Sequence, residues 1–399
     1  MNQGYCFVFR RKERNYSMDK VRFGIIGVGG MGTAHAGVFN KGDVARGELV
    51  AVCDIDPARM KPFGELKTYT DSRALIRSGE VDAVIIATPH YDHTTIGIDA
   101  LEQGLHVLVE KPISVHKADA EKLIAAHTNP KQIFSAMFQM RTYPQFQKIK
   151  QLVESGELGT LHRMNWVITA WYRTEAYYAS GGWRATWKGE GGGVLLNQCP
   201  HNLDLFQWIC GKPKRVQAFC GFGKYHTIEV EDEVTAYFEY DNGATAVFIA
   251  STGEAPGTDR LEIAGDRGKL VFEDGKLIFI RNEVSASEFN KTSANGFDRP
   301  AVWNIEVPIQ GASRNHADIT ENFVDAVLDG KPLIAPAEEG IHSVEIANAM
   351  LYSAWIGQKV ELPIDGRAYE AKLKEKISAS RFEKKAAAGG AIDLSGSFR

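Results

Sequence analysis

"KVRFGIIGVGGMGTAHAGVF", residues 20–39, decides the fold. An apolar run from Val21 to Ile26 reads as a buried strand, and "GVGGMG" as a glycine turn. The residues that follow read as a helix. In Gly27-x-Gly29-x-x-Gly32 the first glycine allows a tight turn. The second lets a pyrophosphate approach the backbone, and the third lets helix and strand pack closely. The helix N-terminus then offers free N–H groups and a positive dipole end to phosphates.

Working outward, "GELVAVCDID" (47–56), "VDAVIIATP" (81–89) and "LHVLVEKP" (105–112) read as further buried parallel strands. Helical patterns such as "HTTIGIDALEQG" (93–104) lie between them, and "QIFSAMFQMR" (132–141) reads as one more strand. Strands alternating with helices imply a parallel sheet with right-handed crossovers. Asp54 ends the second strand, where an acid accepts hydrogen bonds from an adenosine ribose. The plain alternative is a glycine-rich turn with a helix-capping Asp. A carboxylate there repels a 2′-phosphate, and Ile55 follows instead of an arginine. These favour NAD over NADP, with Arg59 nearby as the opposing sign.

Beyond about residue 158 the pattern changes. "LHRMNWVITAWY" (161–172) and "VTAYFEYDNGATAVFIAST" (234–252) alternate, with Asn242-Gly243 as a hairpin turn. "DRLEIAGDRGKLVFEDGKLIFIRN" (259–282) adds strands, and two helical segments follow at 316–330 and 338–357. The expected fold is an α/β Rossmann domain, a doubly wound parallel sheet, over residues 19–142. An α+β domain with a large open antiparallel sheet is expected over 143–377. Residues 1–18 read as a disordered extension and 378–399 as a loose tail.

The 399 residues carry 44% hydrophobic and 24% charged residues and a formal net charge of -4. That balance gives no reason to expect nucleic acid as a partner. No apolar run is long enough to span a bilayer, so no membrane role is expected. The five scattered cysteines form no Cys-x-x-Cys pair, which suits a reducing, cytoplasmic setting. Cys199 and His201 are at most half of a metal site, and no metal is expected.

Two further motifs carry chemistry. Glu110-Lys111-Pro112 ends a predicted strand, where ligands bind in parallel sheets. A desolvated lysine there supplies a base or a fixed positive charge, although a surface lysine at a strand end reads equally well. "GGGVLLNQCPHNLD" (191–204) places His201 and Asp204 behind three glycines in an apolar stretch. Alone, it reads as a buried helix with a core histidine. The aromatic stretch "WYRTEAYYASGGWRATW" (171–187), with Tyr172, suits either a cover for the sheet end or stacking on sugar C–H faces.

Taken together, the glycine fingerprint, Asp54, "ATP" at 87–89, "EKP" and the glycine-led His-x-x-Asp resemble the Gfo/Idh/MocA family of sugar and cyclitol oxidoreductases. The resemblance spans about residues 20–365. It implies a nicotinamide cofactor contacted by Gly27, Gly29, Gly30, Met31, Gly32, Asp54, Arg59, Thr88, Pro89, His93, Glu110, Lys111, Gln139, Trp183 and Arg184. Lys111 and His201 are implied as the catalytic pair across the nicotinamide, with Asn197 and Tyr172 toward the substrate. Asp204, one helical turn beyond His201, is expected either to orient it or to bind substrate. Asn197 stands where many members carry Asp, and Gln139 where Asn is common. The implied activity is hydride transfer from a secondary hydroxyl of a sugar, glycoside or inositol, carbon 3 of a pyranose ring being preferred. A glycosidase working by transient oxidation and elimination is the alternative within enzymes, and a non-catalytic NAD-binding regulator the alternative outside them. A homo-oligomer, dimer or tetramer, through the second sheet is implied by analogy.

Overall fold

The computed structural model describes residues 19–384, so the sequence expectations for 1–18 and 385–399 lie outside the described residues. The first sheet has six strands: β1 (Val21–Ile26), β2 (Gly47–Cys53), β3 (Lys67–Tyr69), β4 (Ala83–Ile86), β5 (His106–Val109) and β6 (Phe134–Ala136). All pair in parallel, in the order β3-β2-β1-β4-β5-β6. All four residues of β4 are fully buried, as a strand covered by helices on both faces requires. The helix His90–Glu102 ends before Gly104, whose φ of +85° only glycine adopts without strain. The segment 132–141 yields a strand only at Phe134–Ala136. A 3-10 turn follows over Gln139–Thr142, which brings Arg141 inside the protein.

The second sheet has nine strands: β7 (Leu161–Ile168), β8 (Arg215–Phe222), β9 (Glu231–Glu239), β10 (Thr245–Ser251), β11 (Asp259–Gly265), β12 (Gly268–Glu273), β13 (Lys276–Asn282), β14 (Val302–Val307) and β15 (Val360–Glu361). Their order is β14-β13-β12-β11-β7-β10-β9-β8-β15. The sheet is mixed and not purely antiparallel, because β7 and β10 run parallel at its centre. The hairpin between β9 and β10 turns at Asn242-Gly243, where Gly243 has φ +83°. Along β9 buried and exposed residues alternate, so one face packs inward. That inner face meets the helices Pro200–Cys210 and Gly340–Ile356 in one core, with Phe206 5.1 Å from Phe238.

Two boundaries differ from the sequence expectation. The helix His316–Asp329, expected in the second domain, packs on the first sheet. Phe323 lies 5.8 Å from Phe23, and Ile319, Phe323 and Val324 belong to the Rossmann core. The stretch after 377 is not loose up to 384. The helix Gly366–Ala379, begun by Asp365 capping two backbone N–H groups, buries Tyr369 and Leu373. Beyond it Lys384 donates to the carbonyls of Gly181 and Arg184 at 2.5 and 2.7 Å.

Candidate functional site

A cleft of about 1950 Å³ runs from the glycine turn after β1 to the loop 171–184 and the start of helix Pro200–Cys210. Two of the three fingerprint glycines are required by the protein itself. Gly27 has φ +89°, and a Cβ added to it would sit 2.8 Å from the Ala87 carbonyl oxygen. A Cβ on Gly32 would lie 1.9 Å from the Gly27 oxygen, so the helix packs on the turn only because that residue is glycine. Gly29 is different: the nearest atom to an added Cβ is the Arg59 guanidinium at 3.7 Å. Among the described residues nothing else comes within 4 Å of that position.

The helix Gly30–Asn40 has neither a side-chain cap nor an acid in its first turn, so its N-terminal dipole end is available to an anion. Gly30 and Met31 line the cleft there. Asp54 caps no helix, a place taken by Asp56. The Asp54 oxygens accept from the N–H groups of Val28 (3.0 Å) and Asp56 (2.9 Å), which shapes the turn, and Asp54 still borders the cleft. Arg59 stands 3.9 Å from it, and Ile55 is 91% exposed at the rim.

The loop after β5 carries the second motif. Glu110 is buried, with one oxygen 2.8 Å from His35 Nε2 and the other accepting the Lys111 N–H at 3.1 Å. Burial alone would raise its pKa, but the His35 hydrogen bond and surrounding positive charge outweigh it and hold Glu110 well below the carboxylate range. The Lys111–Pro112 peptide is cis. Lys111 Nζ crosses the cleft and donates to the Asn197 carbonyl at 3.0 Å. Burial lowers the Lys111 pKa, Glu110 opposes this, and Arg184 adds to it. His93 sits between the carbonyls of Thr88 (2.9 Å) and Pro112 (2.8 Å), fastening the loop after β4 to the loop bearing Lys111. Thr88, Pro89 and His93 all line the cleft, and the buried Thr88 hydroxyl has no partner among the described residues.

His201 lies at the start of helix Pro200–Cys210, borders the cleft and is 3% exposed. Burial and then the Lys111 charge push its pKa well below the usual value, so it is neutral at pH 7. Its Nε2 is 3.2 Å from Gln139 Nε2, and its Nδ1 has no partner among the described residues. Gln139 itself does not border the cleft; it backs His201.

Asp204 is a correction. It is 1% exposed and grips Arg141 with both oxygens, at 2.6 and 2.7 Å, so it neither touches His201 nor faces the cleft. One helical turn does separate it from His201, but the inward-turned Arg141 claims it. Tyr172 is a second correction. It is 48% exposed and outside the cleft, whereas its neighbours Trp171 and Arg173 line the wall. Trp183 and Arg184 do reach the cleft, with Trp183 edge-on to His90 and Arg184 over the rings of Trp183 and Tyr177.

Several site residues carried no sequence signal. The Asn197 Oδ1 accepts from Tyr177 OH (3.0 Å) and Gln198 Nε2 (3.1 Å), and its amide nitrogen donates to the buried Glu190. With both lone pairs engaged, Asn197 keeps one N–H for a ligand. His316, at the head of the helix that returns to the first sheet, lines the cleft as well, and burial lowers its pKa to about 4.

The uncapped helix end, the open space above Gly29, the acid at the end of β2 and the orphaned polar atoms of Thr88 and His201 together fit a dinucleotide. Comparison with known proteins agrees. Residues 21–138 match the family model described as oxidoreductase family, NAD-binding Rossmann fold (GFO/IDH/MocA). Residues 146–271 match the GFO/IDH/MocA C-terminal domain. The chain is 27% identical to D-glucoside 3-dehydrogenase of Escherichia coli over 369 residues, covering 86% of this chain and 97% of that protein. It is 27% identical over 264 residues to myo-inositol 2-dehydrogenase of Thermotoga maritima, covering 63% and 74%. The WlbA dehydrogenase of Chromobacterium violaceum, solved with NADH and UDP-GlcNAcA, superimposes with a TM-score of 0.75 at 27% identity, covering 87% of this chain and 97% of that one.

Proposed function

Because this chain belongs to the Gfo/Idh/MocA family of oxidoreductases, we propose that it moves hydride between a secondary ring hydroxyl of a sugar, glycoside or inositol and a nicotinamide dinucleotide. The observation that carries this reading is the convergence of Lys111 and His201, from different domains, on one cleft beside the glycine turn. The bound cofactor would supply the hydride acceptor. On the chain's side, neutral His201 takes the hydroxyl proton on Nδ1 as hydride leaves the carbon, its Nε2 carrying the ring proton toward a Gln139 amide turned to present its oxygen. Lys111, held toward the site by the Asn197 carbonyl, steadies the oxygen as it becomes an alkoxide. The remaining Asn197 N–H and the ring of Trp171 hold the sugar.

Asp54 favours NAD over NADP in this reading. A pyranoside oxidised at carbon 3 is the preferred substrate, supported by the activity named for the Escherichia coli relative. A homo-oligomer through the outer face of the second sheet is proposed on Phe219, 68% exposed, and Tyr237, both turned away from the core. A reducing, cytoplasmic setting is proposed on the free thiols of Cys53, Cys199, Cys210 and Cys220. Among the described residues no helix is long and apolar enough to cross a membrane.

The test is a panel of methyl glycosides and inositols with NAD and NADP, followed by nicotinamide absorbance and by NMR of the product. Net reduction of NAD with a ring ketone supports the proposal. Absence of turnover on every member overturns it, and aglycone release without net reduction redirects it to elimination chemistry.

A further inference from the structure

Ala185 has φ +55°, a left-handed conformation that a residue with a Cβ adopts only when its surroundings impose it. It follows directly on Trp183-Arg184, so its backbone sets how those two side chains enter the cleft. Its N–H donates to Glu190 Oε2 at 2.6 Å. The other Glu190 oxygen accepts from the Asn197 side-chain amide. Glu190 is 2% exposed and lies outside the cleft. Burial raises its pKa, and the Arg184 charge and these two hydrogen bonds oppose that.

We propose that Glu190 is a positioning residue that makes the seating of the Trp183-Arg184 loop and the placement of Lys111 a single event. This inference rests on the reading above, in which Arg184 faces the cofactor and Lys111 the reacting hydroxyl. On one side Glu190 holds the strained turn at Ala185. On the other it fixes Asn197, whose backbone carbonyl receives Lys111 Nζ. A second path closes the ring: Arg184 donates to Tyr177 OH at 3.0 Å, and Tyr177 OH donates to Asn197 Oδ1.

The chemistry requires a carboxylate at 190. Both of its partners are donors, and only a carboxylate accepts on both oxygens. A glutamine keeps the volume but turns an NH2 group toward either the Ala185 N–H or the Asn197 amide. Asn197 cannot rotate to compensate, because its oxygen already accepts from Tyr177 and Gln198. Exchanging the pair removes the conflict. With Asn197→Asp present, a glutamine at 190 accepts from Ala185 and donates to the new carboxylate.

The experiment compares wild type, Glu190→Gln and the exchange Glu190→Gln with Asn197→Asp, all as full-length chains. Two readouts are used: amide hydrogen exchange over 183–187, and NADH affinity by tryptophan fluorescence. Glu190→Gln should speed exchange over 183–187 and weaken NADH binding, each by about tenfold. The exchanged pair should bring both within about threefold of wild type. A folded Glu190→Gln protein with wild-type exchange and affinity overturns the proposal. So does an exchanged pair no better than the single variant. If Glu190→Gln does not fold, the exchanged pair must fold and bind NADH, or the proposal falls. If wild type binds no NADH, the cofactor reading fails and the exchange of 183–187 alone decides on Glu190.

Discussion

Lys111 Nζ donates to the backbone carbonyl of Asn197, 86 residues further along the chain and 3.0 Å away. Lys111 lies in the loop after β5 of the first sheet, and Asn197 precedes the helix of His201. Truncating either Lys111 or His201 to alanine should lower kcat about a hundredfold or more while NADH still binds, since general acid–base groups contribute that much. The double variant should be little worse than the poorer single one if the two act as a unit. Near-wild-type kcat in both single variants would sink the assignment.

The fingerprint glycines should separate fold from ligand. Gly32→Ala drives a Cβ into the Gly27 carbonyl and should yield little folded protein. Gly29→Ala meets only the tip of Arg59, at 3.7 Å, so its Tm should stay within a few degrees of wild type while NADH affinity falls by tenfold or more. Equal NADH affinity in Gly29→Ala would show that the pyrophosphate does not approach there.

Cofactor choice should follow Asp54. Asp54→Ser with Ile55→Arg removes the repulsive carboxylate and places a guanidinium at an exposed position on the rim. The NADP-to-NAD ratio of kcat/KM should rise at least about tenfold, or ~1.4 kcal/mol. A wild type that already prefers NADP would contradict the role given to Asp54, and Arg59 would be the residue to examine.

Asp204 should behave as a residue of the core. Asp204→Ala takes the bidentate partner from buried Arg141, which keeps Glu339, and should cost about 3 kcal/mol of stability, the low end for breaking a buried pair. The kcat of the protein that remains folded should stay within a few-fold of wild type. Chemical denaturation and kinetics on the same preparation check both halves.

Rising pH should expose Glu231. Both the Gly193 and Leu195 N–H groups donate to one of its oxygens, the other oxygen has no partner among the described residues, and burial raises its pKa to about 8. A carboxyl raised in the folded state binds its proton more tightly there than in the unfolded chain. Its contribution is therefore complete below about pH 4.5 and is lost as pH climbs through 8. Wild type should lose several degrees of Tm between about pH 5 and 8.5. Glu231→Gln should lose less, and parallel curves would show that Glu231 does not titrate in this range.

The first sheet was legible because its signals are local. Gly27, Gly32 and Asp54 act within one strand-turn-helix unit, and the apolar runs of β1, β2 and β4 declare burial on both faces. Lys111 and His201 were legible through motif context, and both border the cleft. What escaped depends on partners remote in sequence. Asp204 looked like a companion to His201 until Arg141 was seen to turn inward, 63 residues earlier in the chain. Strand alternation reveals a buried face but not a neighbour's direction, so the parallel pairing of β7 with β10 was invisible. Glu190 sat in a glycine-rich stretch with no periodicity to mark it. Asp365 before an alternating Lys/Glu segment was an available N-cap signal for the helix Gly366–Ala379.

The helix His316–Asp329 closes over Phe23 although β6 ends at Ala136, roughly 180 residues earlier. On a ribosome making about 5–20 residues per second, the nascent nucleotide-binding half waits on the order of ten seconds or more for the element that seals it. Through that interval Phe39 covers one side of Phe23, and the side that Phe323 later meets stays apolar and open. The first half is thus completed only after most of the second has been made, near the end of translation rather than in the order in which the two are written.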